Sequence, residues 1–354
     1  MDQKRTEISS VGEFGLIERI RQLTQSPGEG VRLREHLVQG IGDDAAVYRP
    51  TQGTVELITI DTFLEGVHFD LTYTSFRHLG WKAVAASLSD IAAMGGLPRY
   101  VLLTLSLPAK ISVEMVEEFY GGASFACKKY SCLIVGGDTS SSPANLMVSS
   151  TVVGEAPETA LIYRKGAKAG DYVCVTGHLG ASIAGLKVLQ REKSRFLAAR
   201  DTGTFQPDLE PYKTVIEKHL MPKPRFDISK ILTSRVKVHS MIDISDGLAS
   251  EIHHLCAAGG VGASVYEHNL PIDSVTQRIA EEFSAPVTDY ALYGGEEYEL
   301  LFTIDEEEYK KLEILTNDVS IIGRITKAGD GIVVVREQGE SEPLRAAGWN
   351  HFPK

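Results

Sequence analysis

One pattern, met three times, constrains this chain most: an apolar, β-branched run that leads into an aspartate beside glycines or a short polar turn. Leu57-Ile58-Thr59-Ile60 runs into Asp61, and Thr62-Phe63-Leu64-Glu65-Gly66-Val67 then delivers His68. Cys132-Leu133-Ile134-Val135-Gly136-Gly137 runs into Asp138. Val236 to Ile242 leads into Asp243, with Asp246 soon after. Such runs read as buried strands. Acids at strand ends, with no basic residue beside them, predict one converging carboxylate site. A site of that kind repels itself unless a cation sits in it, and hard oxygen donors select a divalent ion such as Mg2+.

The intervening segments supply helices. Phe14, Ile17, Ile20 and Leu23 make an apolar stripe over 12–23, whereas 25–40 is polar and Gly-bearing and reads as a loop. Trp81 to Met94 is a second helix, striped by Trp81, Val84, Leu88 and Ile91. Its opposite face carries Ala83, Ala86, Asp90 and Met94, small enough for another element to approach closely, and Asp90 sits there among apolar neighbours. Tyr100 to Leu107 alternates as a strand, Ser112 caps a helix running to Lys129, and Leu146 to Val153 alternates again. Antiparallel-looking strands mixed with helices make an α+β or split-βαβ pattern.

A chain of 354 residues exceeds one ordinary core and suits two domains. The segment around Pro157 divides it into 1–155 and 156–354. The second half opens with a strand, Tyr172 to Thr176, a turn through Gly177-His178-Leu179-Gly180, and a helix to Gln190; the GxGxxG spacing of a dinucleotide site is missing. Residues 191–224 are polar and helical in part. A helix over Gly247–Ala258 starts beside Asp246, for which an N-cap is the alternative to metal binding. Gly294-Gly295-Glu296-Glu297 precedes a strand, Leu300 to Ile304.

The formal net charge of -11 argues against nucleic acid as a partner. No apolar stretch approaches the roughly 20 residues of a membrane span, and the first residues lack a secretory pattern. The four cysteines form no CxxC pair, which fits a cytoplasmic protein with reduced thiols, Cys127 and Cys132 among them as core residues. His253 and His254 are adjacent and point to different sides of their helix, so zinc has no ligand cluster. No GK[ST] triplet occurs, nor the HRD and DFG signatures of protein kinases. Any nucleotide is therefore held largely through metal ions.

These motifs, in this order, resemble the thiamine-monophosphate kinase family. The resemblance rests on Ile41-Gly42-Asp43-Asp44-Ala45-Ala46, Asp61-Thr62, Glu65-Gly66-Val67-His68-Phe69 and Leu88-Ser89-Asp90-Ile91-Ala92-Ala93-Met94-Gly95. It continues through Gly136-Gly137-Asp138-Thr139, Arg164-Lys165-Gly166-Ala167, Asp243-Ile244-Ser245-Asp246-Gly247 and Gly294-Gly295-Glu296-Glu297-Tyr298-Glu299-Leu300. It implies the two-domain α/β (α+β) fold shared with aminoimidazole ribonucleotide synthetase, in a homodimer whose N-terminal mixed sheets join. It implies ATP-dependent phosphorylation of thiamine monophosphate to thiamine diphosphate, with several Mg2+ ions. By motif position, Asp44, Thr59, Asp61, Asp90, Asp138, Asp243 and Asp246 are the implied metal ligands, with Asp61, Asp138 and Asp243 central to catalysis. Tyr120, Gly137, Asp138, Arg164 and Ser245 are the implied ATP contacts, and His68, Glu296 and Trp349 the implied thiamine-phosphate contacts. Two positions depart from the family pattern. Ile60 stands where a hydroxyl residue is common, leaving its backbone carbonyl as the alternative ligand, or one metal site weaker. Glu297 stands where Asp is commoner. Sister enzymes on the same fold use a reactive residue near the N-terminus or a C-terminal cysteine, whereas the cysteines here fall between Cys127 and Cys256.

Overall fold

The run that leads to Asp61 does not stop there. In the computed structural model, which describes residues 5–24, 31–199 and 206–348, this strand spans Val55–Leu64 and Asp61 lies inside it. The chain divides into two units, one comprising residues up to Ile91 together with Gly96–Thr159, the other Ala92–Gly95 together with residues from Ala160 on.

The first unit runs α1 (Ile8–Thr24), α2 (Val31–His36), β1 (Leu37–Gln39), β2 (Val47–Tyr48), β3 (Val55–Leu64), α3 (Phe76–Ala93), β4 (Leu97–Leu107), α4 (Val113–Tyr130), β5 (Leu133–Ser141) and β6 (Met147–Ala156). Four strands form one sheet in the order β3-β6-β4-β5. β4 and β5 pair parallel, with α4 as their crossover, and the remaining pairs are antiparallel. On β3 the period of two is clean. Leu57 and Phe63 are buried, with Thr59 and Asp61 between them, while Ile58, Ile60, Thr62 and Leu64 are exposed.

α3 has no solvent face to speak of: Trp81, Val84, Leu88 and Ile91 are buried, and so are Ala83 and Ala86. The close approach expected along its small face occurs a turn earlier, against α4. A Cβ on Gly80 would stand 1.9 Å from the Phe119 carbonyl oxygen, and one on Gly122 1.9 Å from that of Arg77. α4 begins as its sequence suggests, with Ser112 Oγ accepting from Met115 N at 3.4 Å.

Two first-half expectations need correcting. Residues 31–39 are not loop: they form α2 and β1, and β1 pairs with β2. Leu33 is buried and Leu37 packs with Tyr100, Val135 and Val153, so a few apolar residues order a segment whose average is polar. β5, too, runs through Asp138 to Ser141 instead of ending on the acid.

The second unit runs β7 (Tyr172–Thr176), α5 (Ala181–Ala198), α6 (Lys213–Leu220), α7 (Phe226–Ser234), β8 (Ser240–Asp243), α8 (Leu248–Gly259), β9 (Val261–Tyr266), α9 (Ser274–Glu282), α10 (Val287–Tyr293), β10 (Leu300–Ile304), α11 (Glu306–Leu315), β11 (Val319–Lys327), β12 (Ile332–Val335) and β13 (Ser341–Pro343). Its seven strands are ordered β13-β12-β9-β11-β7-β10-β8, antiparallel except for β12 on β9. β7 and β10 coincide with the runs seen in the sequence. Asp246 is not the N-cap of α8; that position is Gly247, which offers no side chain. His253 packs α8 through Nε2 to the Leu344 carbonyl at 2.8 Å. All four cysteines are buried free thiols.

Candidate active site

The acids of the first unit gather in two places. At one, residues two apart on β3 meet residues three apart on α3, spacings that bring each pair onto one face. Thr59 Oγ1 donates to Asp90 Oδ2 at 2.5 Å. Ser87 Oγ lies 2.7 Å from Asp61 Oδ2 and 3.1 Å from the Ser150 carbonyl. Burial, then the neighbouring charge of Asp90, push the Asp61 carboxyl up to about 6, against the hydrogen bond from Ser87, which lowers it. Two carboxylates and a hydroxyl, partly desolvated, make an oxygen-donor set suited to Mg2+.

The other place is a cavity of about 510 Å3. Asp43 and Asp44 border it from the turn after β1, and Gly137 and Asp138 from β5. Tyr120 reaches it from α4, and Phe14, Ile17 and Ile20 of α1 give it an apolar wall. Gly137 is needed for this geometry: its φ is +154°, and a Cβ there would sit 1.9 Å from the Leu103 carbonyl oxygen. An apolar wall facing glycine backbone and carboxylates suits a flat ring carrying a metal-bound polyphosphate.

The sheet register keeps the two places apart within one chain. Asp61 pairs with Ser150, Ser150 with Leu103, and Leu103 with Gly137. Asp138 belongs to the adjoining row, with Thr104, Ser149 and Thr62. Adjacent rows present opposite faces, and β3 and β5 are opposite edges, roughly 14 Å apart at ordinary strand spacing. Among the described residues no group of three or more His, Cys, Asp or Glu side chains is close enough to hold a metal ion. Each place in this unit offers oxygen donors for only part of a coordination shell.

In the second unit, two glycine-bearing motifs are laced together. Glu296 N donates to Ser245 O at 2.7 Å, Tyr298 N to Ile244 O at 2.8 Å, and Ile244 N to Glu299 O at 2.8 Å. Asp243 is buried at the end of β8, opposite Leu300 of β10. Asp246 and Ser245 are half-buried. Both are held by Glu251, which accepts from Asp246 N at 3.0 Å and lies 3.3 Å from Ser245 Oγ. Glu296 is half-buried, with its side chain 26% exposed.

Of the remaining expected contacts, His68 is half-buried in the turn after β3, where its Nδ1 accepts from Leu64 N at 3.0 Å. A neutral imidazole that accepts at Nδ1 carries its proton on Nε2. Arg164 is exposed on the segment before β7. Trp349 lies outside the described residues.

Comparison with known proteins decides the family. Residues 42–156 match AIR synthase related protein, N-terminal domain, and residues 168–336 match AIR synthase related protein, C-terminal domain. The thiamine-monophosphate kinase of Bacillus subtilis (strain 168) is 35% identical over 317 residues, covering 88% of this chain and 93% of that one. The chain belongs to the thiamine-monophosphate kinase family. Among solved structures, the thiamine-monophosphate kinase from Stenotrophomonas maltophilia superposes with a TM-score of 0.77 at 32% identity, covering 94% of this chain and 98% of that one. AaThiL complexed with AMPPCP and TMP superposes with a TM-score of 0.74 at 34% identity, covering 99% of this chain and all of that one (100%).

In this member of the thiamine-monophosphate kinase family, two residues that contact the candidate site residues were missed by sequence reasoning: Ser87, beside Asp61, and Glu251, beside Ser245 and Asp246. Ser87 carries no motif, and only the i, i+3 spacing to Asp90 could have placed it beside Asp61. Glu251 reads as an ordinary acid in the first turn of a helix. Its burial, which raises its carboxyl above the usual range, marks it as part of the Ser245–Asp246 turn. The Ile60 side chain is 66% exposed on the opposite side of β3 from Thr59 and Asp61. Only its backbone can face a ligand shared with them.

Proposed function

We propose that the protein transfers the γ-phosphoryl group of ATP to thiamine monophosphate, giving thiamine diphosphate. One observation carries this reading: Asp44, Tyr120, Gly137 and Asp138, far apart in sequence, border one cavity large enough for a nucleotide. The complex of AaThiL with AMPPCP and TMP supports it. Arg164 and Ser245 are the further ATP contacts. His68, Glu296 and Trp349 are the contacts to thiamine monophosphate.

The chemistry asks little of a general base, because the acceptor is a phosphate already ionised near neutral pH. Among the described residues that border the cavity, the ionisable side chains are carboxylates and Tyr120; the transfer proposed is direct and in-line, without a phosphoenzyme. The difficulty is electrostatic: like unit charges 4 Å apart repel by roughly 4 kcal/mol at an effective dielectric near 20. Bound Mg2+ supplies charge neutralisation between the two anions. Asp61, Asp90 and Thr59 would hold it at one place, Asp44 and Asp138 at another, and Asp243 and Asp246 in the second unit, with the Ile60 carbonyl as a further donor. Arg164 neutralises charge on the nucleotide, and Trp349 offers a flat face to a cationic ring.

A homodimer is part of the proposal. β3 is an edge strand of ten residues that exposes Ile58 (70%) and Ile60 (66%). A long apolar edge of this kind is ordinarily covered. Two copies joining their four-stranded sheets would cover it.

The test is incubation of the full chain with Mg-ATP and thiamine monophosphate, with thiamine diphosphate measured by chromatography. Lack of product from folded, Mg2+-supplied protein sinks the assignment. Asp138→Asn is expected to lower turnover at least about 100-fold while leaving the melting temperature nearly unchanged, as for a group acting on transition-state charge.

A further inference from the structure

The Gly-Gly-Glu-Glu-Tyr-Glu segment carries three carboxylates in four residues, and the structure treats them differently. Glu297 and Glu299 are buried; Glu296 keeps its side chain 26% exposed. The backbone between them is unusual, with Glu296 at φ +62° and Tyr298 at φ +53°. Side-chain-bearing residues rarely adopt this left-handed region, and they stay there only when their surroundings over-determine the position.

The surroundings do so from behind. Glu297 Oε1 accepts from Ser182 N at 3.0 Å, at the start of α5, whose cap residue Gly180 has no side chain to offer. Glu299 is held by Lys218, by Arg225 Nη1 at 2.6 Å and by Thr176 Oγ1 at 2.5 Å. Lys218 Nζ also lies 4.0 Å from Glu297 Oε2. The next residue on α6, His219, is 3% exposed, and its Nδ1 stands 3.4 Å from Glu296 Oε2 and 3.2 Å from Ser182 Oγ. Two adjacent residues of one short helix thus engage all three acids, the ammonium taking the buried pair and the imidazole the exposed one.

We propose that His219 is a positioning residue for Glu296, orienting that carboxylate toward the cationic portion of the thiamine substrate. This rests on the reading of Glu296 as a thiamine-phosphate contact. An imidazole N–H placed behind a carboxylate fixes its rotamer, so a cation arriving from solvent meets a preset acceptor. A purely structural His219 would stabilise the fold without altering recognition of one substrate.

The experiment is steady-state kinetics on the full-length protein, varying each substrate against saturating co-substrate, with melting temperatures alongside. His219→Leu is expected to raise KM for thiamine monophosphate about tenfold, with kcat and KM for ATP within about twofold. His219→Gln, which retains a donor, is expected to recover most of that loss. Ser182→Ala, a milder change that spares the Ser182 backbone contact, is expected to raise the same KM about two- to fivefold and keeps the test open if His219→Leu folds poorly. Glu296→Gln sets the reference. If it raises KM for thiamine monophosphate while all three supporting variants leave it unchanged, the His219 role is overturned and the kinase reading stands. Unchanged KM in Glu296→Gln overturns the role of Glu296 and His219 together. A wild-type protein that forms no thiamine diphosphate overturns both readings.

Discussion

Single carboxylates in this chain sit where their charge is unfavourable. Asp61 is desolvated and faces Asp90, so in the absence of metal its ionised form opposes folding. Asp61→Asn is expected to raise the stability of the Mg2+-free protein by about 1 kcal/mol, the size of a modest relieved repulsion. The same change should abolish kinase activity and shrink the thermal stabilisation by Mg2+. Scanning fluorimetry with and without chelator reads both effects; a destabilised, fully Mg2+-responsive variant counts against the site. Glu297 gives a pH test. Burial pushes its carboxyl up to about 7 from an ordinary 4.5, despite the nearby Lys218 and the Ser182 amide. The folded state therefore binds this proton more tightly than the unfolded chain does. The resulting stabilisation is full below about 4.5 and is lost as the pH rises through 7. Glu297→Gln, which keeps the acceptor for Ser182, removes that dependence. Relative to the variant, the wild type should lose on the order of 1–3 kcal/mol between pH 4.5 and 8, read from denaturant midpoints. A pH-independent difference would place the Glu297 proton elsewhere.

Elements were legible where glycine and proline punctuate them and obscure where packing decides. β7 and β10 have the bounds their sequences suggest, because Gly177 stops the first apolar run and Glu299 and Asp305 bracket the second. β3 and β5 run on past their aspartates because the residues that follow, Thr62 and Ser140 among them, occupy exposed strand positions, which a search for apolar periodicity reads as turn. The division of acids into two places was equally hidden. Strand spacing shows which residues of one strand share a face, but pairing register between strands sets which rows align. The α3–α4 crossing is a third case, since nothing in the local sequence links Gly80 to Gly122. It carries a prediction about the element that bears Ser87 and Asp90. Gly80→Ala and Gly122→Ala each place a methyl against a carbonyl oxygen and force the helices apart. Each is expected to destabilise by about 2–4 kcal/mol, more than the roughly 1 kcal/mol that exchanging Gly for Ala inside a helix normally returns. Because the two sites share one interface, the double variant should cost less than the sum, measurable by a denaturant cycle.

At the scale of the whole molecule, the edge strand β3 ties the shape of the fold to its chemistry. The strand that presents Thr59 and Asp61 to α3 on one side presents Ile58, Ile60 and Leu64 to solvent on the other. A ten-residue edge with two isoleucines about two-thirds exposed is the surface that the proposed homodimer would cover, because the net negative charge of the chain does not by itself mask apolar area. If two copies cover it, Ile58→Glu with Ile60→Glu should convert a dimer to monomer in sedimentation velocity, while each monomer keeps its melting cooperativity. Activity should fall with the dimer, since β3 would lose the support that holds Asp61 and Thr59 in register. A doubly substituted protein that still sediments as a dimer would show that the copies meet elsewhere. A protein that is monomeric before substitution would leave the exposed isoleucines unexplained by self-association and remove the homodimer from the proposal.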